Sequence, residues 1–245
     1  MSLYDSIGRD YASYRRPDPR IARAISAALG EAHAIVNVGA GAGSYEPRDR
    51  AVVAVEPSLT MIRQRPADAA PAVQGVASAL PFRDATFSAS LALLTVHHWQ
   101  DQRRGLEELA RVARDRVVLF TWDPDEGHFW LTREYFPEAI GLDRVTMPSM
   151  ADLRRIYGRI EIRPVSIPHD CSDGFMAAYW RRPEAYLDPG VRSAISTFAK
   201  LTDPGPGLQR LADDLRSGEW HRRFGHLLER SEIDPGYRLV IADLH

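Results

Sequence analysis

"IVNVGAGAGSYEP", residues 35–47, decides the fold. Ile35 to Val38 is a short run built mainly of β-branched residues, and it leads directly into Gly39, Gly41 and Gly43 before Pro47 closes the stretch. A glycine-rich turn behind a buried strand has two uses. It lets the backbone turn tightly, and it lets a ligand approach main-chain N–H groups with no Cβ in the way. In an open parallel sheet such a ligand lies across the carboxyl ends of the strands.

The flanking sequence supplies the rest of that sheet. "HAIVNV" (33–38) and "AVVAVE" (51–56) read as buried strands, "PAVQG" (71–75) as a weak third, "ATFSASLALLT" (85–95) as a strong fourth and "DRVVLFTW" (115–122) as a fifth. Helical signals alternate with them. Asp18-Pro19 reads as a cap with a first-turn proline and Gly30 as a stop, with Ile21, Ile25, Ala28 and Leu29 on one face. "SLTMIRQR" (58–65) and "DQRRGLEELARVA" (101–113) read as the next two helices. Alternation of this kind, with near-continuous apolar strands, predicts a parallel sheet covered on both faces. Further on, "PSMADLRRIYG" (148–158) carries a Ser-x-x-Asp capping signature, "RIEIRPVSI" (159–167) alternates like a strand, 181–231 is helix-rich, and "GYRLVIADL" (236–244) is a final strand.

Glu56 ends the second strand, 17 residues after Gly39. A carboxylate there can accept from both hydroxyls of a ribose, so the spacing fits a nucleoside-bearing cofactor. The glycines run Gly-x-Gly-x-Gly. The dinucleotide fingerprint needs Gly or Ala where Ser44 stands, which argues against NAD without excluding it.

Composition narrows the partners. With 31 basic and 33 acidic residues the net charge is −2, which gives no reason to expect nucleic acid or an anionic membrane. Lys200 is the only lysine, a skew that reads as coding bias. Cys171 is alone, so no internal disulfide forms and a reducing cytoplasmic setting is expected. The N-terminal residues lack the apolar core of a signal peptide, and no apolar run is long enough to span a bilayer.

"VNVGAGAG", "VVAVEPSLTMI", "GVASALPFRDATFSASLALLTVHHWQD" and "GLEELARV", in that order over about residues 35–121, resemble the class I S-adenosylmethionine-dependent methyltransferases, specifically the type 11 group of small-molecule methyltransferases. "YDSIGRDYASYRRPDPRI" (4–21) resembles the segment that folds over the cofactor in that group. The resemblance implies a Rossmann-like α/β fold, a three-layer α/β/α arrangement whose seven-stranded, mostly parallel sheet has its last strand antiparallel. It implies one domain over 1–245: an N-terminal cofactor cover (1–30), a cofactor-binding core (31–122), a lid with helical additions (123–235) and the final strand (236–245).

The same resemblance implies roles. Gly39, Gly41 and Gly43 would line the methionine portion and ribose, Glu56 would take the ribose hydroxyls, and Met61 would lie against the adenine. The backbone of Ala77 and Ser78 would meet the adenine edge and Thr95 would sit beside the sulfonium. Tyr14 and Arg16 would come from the N-terminal segment, with Arg16 facing the cofactor carboxylate. Three departures point to weaker cofactor binding. Asn37 stands for the usual acidic residue, Val76 and Ser78 occupy the adenine-side acidic positions, and only Ser44 to Arg50 separate the glycines from the second strand, leaving a crossover helix of one or two turns at most.

His97, His98, Trp99 and Asp101 follow the fourth strand, where a general base for an oxygen or nitrogen nucleophile belongs. By resemblance to phosphobase methyltransferases with a similar His-x-x-Asp stretch, His98 is the candidate base; a loop-ordering role is the alternative. His97 and Trp122 are the candidate acceptor-binding residues, and the aromatics of "EGHFWLTREYFPEAI" (126–140) either line an acceptor pocket or pack on the body. His169, Asp170, Cys171 and Asp173 superficially suggest a metal or thiol site, but one cysteine without paired ligands reads as a loop. The expected function is methyl transfer from S-adenosyl-L-methionine to a small-molecule acceptor, with no metal. The alternatives are a cofactor-binding protein with little or no catalysis and a nicotinamide-dependent oxidoreductase.

Overall fold

The computed structural model describes residues 14–244, so residues 1–13 of the proposed cofactor cover and His245 lie outside the described residues. Helix α1 (Pro19–Leu29) forms where the caps place it: the Asp18 carboxylate accepts the Arg20 N–H at 2.9 Å, Pro19 opens the first turn, and Gly30 ends it at φ 55°. Its buried residues are the four on the predicted face.

Strands β1 (Ala34–Val38), β2 (Ala51–Glu56), β3 (Ala72–Gln74), β4 (Phe87–Leu93), β5 (Ala113–Trp122), β6 (Glu161–Pro164) and β9 (Tyr237–Asp243) build one seven-stranded sheet in the order β3-β2-β1-β4-β5-β9-β6. β1 to β5 pair in parallel, and β9 inserts antiparallel between β5 and β6. This is the expected Rossmann-like sheet with its final strand reversed. Between the strands run α2 (Leu59–Arg63), capped by Ser58, and α3 (Gln102–Val112), capped by Asp101. Side chains alternate across the sheet. Ile35, Leu91, Val118 and Phe120 join one apolar cluster, shared with α1, while Val36, Val38, Val117 and Leu119 join the other with Leu106 and Leu109 of α3.

Two local expectations change. No helix forms between β1 and β2; residues 41–45 make turns instead. Tyr45 takes left-handed backbone at φ 63° and fills the face that a crossover helix would cover, edge-on to Phe120 with ring centroids 6.5 Å apart. The strand expected over 159–167 also divides. β6 stays on the sheet edge, where Pro164 lacks an N–H at no cost to a neighbour, and β7 (Ile167–Pro168) pairs instead with β8 (Glu232–Ile233).

After β5 the chain adds α4 (Trp130–Glu134), α5 (Pro137–Thr146) and α6 (Met150–Tyr157), then, beyond β7, α7 (Pro189–Ser193), α8 (Ser196–Lys200), α9 (Gly205–Ser217) and α10 (Glu219–Phe224). Trp130, Trp180, Tyr186 and Trp220 pack together here, all at most 5% exposed. Trp130 Nε1–H donates to the Trp180 carbonyl at 2.9 Å, so the aromatic body and its polar edge are both satisfied. No described helix is long and apolar enough to cross a membrane.

The Asp18 carboxyl is held at about 2, below its usual 3.8, chiefly by the Arg20 side chain. A lowered carboxylate pKa stabilises the fold above the unfolded value, and that contribution fades as pH falls from about 4 to 2. Asp18→Ala should therefore cost about 1–2 kcal/mol in urea unfolding at neutral pH, with the difference from wild type shrinking below pH 4.

Candidate functional site

The carboxyl ends of β1, β2 and β4 open onto a cavity of about 460 Å³. Gly39 turns the chain at φ 70° directly beneath Thr95, whose side chain would collide with a Cβ on residue 39. The Gly39 and Ala40 N–H groups both donate to the Val55 carbonyl, at 2.8 and 3.1 Å, so the turn is tied to β2. Gly41, at φ 52°, gives its N–H to Glu56 Oε2 at 2.8 Å, and a Cβ added there would meet the Met61 methyl at 3.4 Å. Glu56 Oε1 accepts the Ser58 N–H at 2.9 Å. A carboxylate offers about four acceptor directions, so this one can hold the loop and also receive hydroxyl donors from a ligand.

Of the residues singled out from the sequence, Gly39, Gly41, Glu56 and Met61 line this cavity. So do Ala77, Ser78, Thr95 and His98. Gly43 does not. At φ 92° it faces a different feature, the ion pair of Glu46 and Arg65, which are 2.6 Å apart with side chains 6% and 5% exposed. Arg65 also donates to the Gly41 carbonyl at 3.1 Å, so the pair braces the loop from beneath. Asn37 belongs to the same brace, donating to Glu46 Oε1 at 3.0 Å. That bond fixes which way the amide points, and Asn37 Oδ1, on a residue lining the cavity, is left buried without a partner among the described residues.

The N-terminal segment departs from expectation by one residue. Arg15, not Arg16, lines the cavity, and Arg16 is exposed. Arg15 Nε pairs with Asp173 Oδ1 at 2.6 Å, and Asp173 Oδ2 accepts the Tyr45 hydroxyl at 2.8 Å. Tyr14 also stays out of the cavity, its ring and carbonyl packing closely on Gly190 and Gly174. Asp173 is thus the buried partner of Arg15, and Cys171 beside it is buried with its thiol pushed up to about 12 by desolvation, far from a reactive thiolate. Among the described residues no group of three or more His, Cys, Asp or Glu could hold a metal.

A second, smaller cavity of about 60 Å³ shares Arg15 and Leu94 with the first. His97 and Trp122 line this one. The Trp122 indole N–H donates to the Pro235 carbonyl at 2.7 Å, which fixes the ring. Of the aromatics over 126–140, only Phe129 reaches the cavity. Trp130, Tyr135 and Phe136 pack into the body and His128 is exposed. His97 and His98 sit on a 3₁₀ turn (Val96–His98) with ring centroids 3.9 Å apart, one facing each cavity. Burial, reinforced by the positive charges of Lys200 and Arg15, pushes His98 down to about 3. His97 is lowered too, by burial, by His98 and by the same two cations. Asp101, three residues on, caps α3 through the Arg104 N–H at 2.9 Å.

Asp143 on α5 also lines the second cavity, and nothing in the sequence marked it, because "GLDRVT" reads as an ordinary polar helix face. It is 8% exposed, and burial raises its carboxyl to about 6, with Lys200 pulling the other way.

Residues 36–121 match the model of a methyltransferase domain. A solved protein of Anabaena variabilis, described as a methyltransferase from an antibiotic biosynthesis pathway, is 34% identical, with a TM-score of 0.85 over 94% of this chain and 98% of that one. The uncharacterized methyltransferase YcgJ of Bacillus subtilis is 27% identical over 122 residues, which is 45% of this chain and 44% of that protein. A geranyl diphosphate C-methyltransferase of Streptomyces coelicolor, solved with Mg²⁺, geranyl diphosphate and S-adenosyl-L-homocysteine, shares the fold at 16% identity and a TM-score of 0.50 over 92% of this chain and 77% of that one. The chain belongs to the class I S-adenosylmethionine-dependent methyltransferases.

The closeness of Gly39 and Thr95 yields a direct test. Gly39→Ala should cost about 1–3 kcal/mol in chemical unfolding, through overpacking and a strained φ. In a Thr95→Ala background the cost should shrink, a non-additivity that a double-mutant cycle measures.

Proposed function

We propose that this protein transfers a methyl group from S-adenosyl-L-methionine to a small-molecule acceptor, with the cofactor in the larger cavity. The observation that carries this reading is the joint placement of Glu56 and the glycine turn at Gly39 and Gly41 around one cavity, at the ends of adjoining parallel strands. Glu56 would accept the ribose hydroxyls, Met61 and Ala77 would flank the adenine, and Thr95 would stand near the sulfonium. The unpartnered Asn37 Oδ1 suits the ammonium of the amino-acid portion, a buried acceptor that a cationic donor would satisfy. Arg15, shared by both cavities, takes the place given to Arg16 on the sequence.

The bound cofactor supplies an electrophilic methyl group, and the chain's own residues align the acceptor and keep water away. A general base works best with a pKa near the working pH. The surroundings of His98 remove that basicity, so in this reading His98 is a neutral, hydrogen-bonding wall between cofactor and acceptor. His97 and Trp122 lie on the acceptor side.

Calorimetric titration with S-adenosyl-L-homocysteine tests the reading. Wild type should bind, and Glu56→Ala should bind at least about tenfold more weakly, having lost hydrogen bonds to a charged acceptor. Titration with NAD should give no heat. Release of S-adenosyl-L-homocysteine over a metabolite panel separates an active enzyme from a protein that only binds. If the pH dependence of turnover contains an inflection in the neutral range, His98→Asn should lower the rate and leave that inflection in place, because His98 ionises near 3.

A further inference from the structure

Asp143 is an unusual group to find in the wall of a small cavity. The residue is 8% exposed, lines the space, and has no hydrogen-bond partner among the described residues. A buried acceptor left in that condition costs free energy unless something else satisfies it. Its one charged neighbour in play is Lys200, the chain's only lysine, on α8, which acts through space rather than by a hydrogen bond. Arg15 is committed to Asp173.

We infer that the second cavity receives the far end of the methyl acceptor, and that this end is an uncharged group carrying one hydroxyl, which donates to Asp143. The inference rests on the function proposed above. Three observations select the ligand. The space is about 60 Å³ against about 460 Å³ for the larger cavity, so only the tip of an acceptor enters. Its body lies across the shared wall at Arg15 and Leu94, toward the cavity that would hold the cofactor. The remaining walls include Phe129, Met147 and Phe175, which suit an apolar stem behind the hydroxyl. Charge then decides between a hydroxyl and an ammonium. Lys200 and Arg15 put enough positive potential here to help keep both His97 and His98 neutral, and the same potential opposes a cation. Asp143 is therefore a specificity-determining residue, holding the end of the acceptor remote from the reacting atom.

The isosteric series benzyl alcohol, benzylammonium and ethylbenzene tests this on the full ¹⁵N-labelled chain with S-adenosyl-L-homocysteine, reading the indole N–H resonance of Trp122 in the cavity wall. Benzyl alcohol should bind about tenfold or more tightly than either analogue at neutral pH, and Asp143→Asn should remove most of that preference. On wild type, affinity for the alcohol should fall as pH drops through about 6, where Asp143 takes up a proton. His97 and His98 are already neutral there, Lys200 and Arg15 remain charged, and Tyr237, raised by burial, does not ionise. Asp143→Asn should also raise the thermal midpoint at neutral pH, because a raised carboxylate pKa destabilises the fold above the unfolded value. A lowered midpoint, tighter binding of benzylammonium, no binding of the alcohol, or an alcohol affinity indifferent to Asp143→Asn would each overturn the inference. Binding of S-adenosyl-L-homocysteine is measured separately. Its failure would remove the proposed function, while the ranking of the three probes can still be read on the ligand-free chain.

Discussion

Asp173 has no side-chain exposure, and the site is assembled around its two oxygens. One holds Arg15, 158 residues away in sequence, and the other holds Tyr45, 128 residues away. A buried carboxylate of this kind is tolerable only when fully partnered, and removing one side of such a pair costs about 3–5 kcal/mol. The bond to Arg15 sets the guanidinium where both cavities meet. The bond to Tyr45 holds a tyrosine in left-handed backbone at φ 63°, and that tyrosine covers β1 in place of a helix. The missing crossover helix and the position of Arg15 thus have one physical cause. A loop that looked incidental in "IPHDCSDGF" is what makes a short crossover workable.

The glycine loop is braced from the other side by a second buried pair, Glu46 and Arg65. Here the departures from the usual motif form a connected set. Asn37 gives up a carboxylate at its position and donates to Glu46, and the negative charge moves nine residues along the chain to a place where Arg65 neutralises it. Gly43, third of the triplet, is needed because this pair sits against it. Two glycines serve the cavity and one serves the scaffold.

Much of this was legible in the sequence. Strand alternation, the Asp18-Pro19 and Gly30 signals and the spacing from Gly39 to Glu56 are local, and local patterns survive folding because each is satisfied within a few residues. The matched family core, 36–121, coincides with that region. What sequence could not give were the long-range choices. Arg15 and Arg16 are adjacent and chemically alike, and only the position of Asp173 decides which turns inward. His98 was the candidate base by its place after the fourth strand and its His-x-x-Asp stretch, and a histidine usually titrates near neutrality. Its burial and the approach of Lys200 from α8 depend on the tertiary packing of the second half. Asp143 gave no signal, since an aspartate on an amphipathic helix most often faces water.

The second half therefore contributes what the core cannot. The core presents a nucleoside-sized cleft that many chemistries could share. Asp143 and Phe129 line the second cavity, from α5 and from the residue preceding α4, and Lys200 on α8 acts on Asp143 through space. Burial, with Lys200 and Arg15 adding to it, keeps two histidines neutral, and one carboxylate, raised to about 6, is left without a hydrogen-bond partner among the described residues. A buried charge only partly offset by Lys200 is a stability loss that packing elsewhere must make good, and the dense cluster of Trp130, Trp180, Tyr186 and Trp220 lies in the same helical half. On this view the aromatic cluster and the second cavity belong together: dense apolar packing in the helical half offsets the cost of a polar group held in the cavity wall, where an acceptor can meet it.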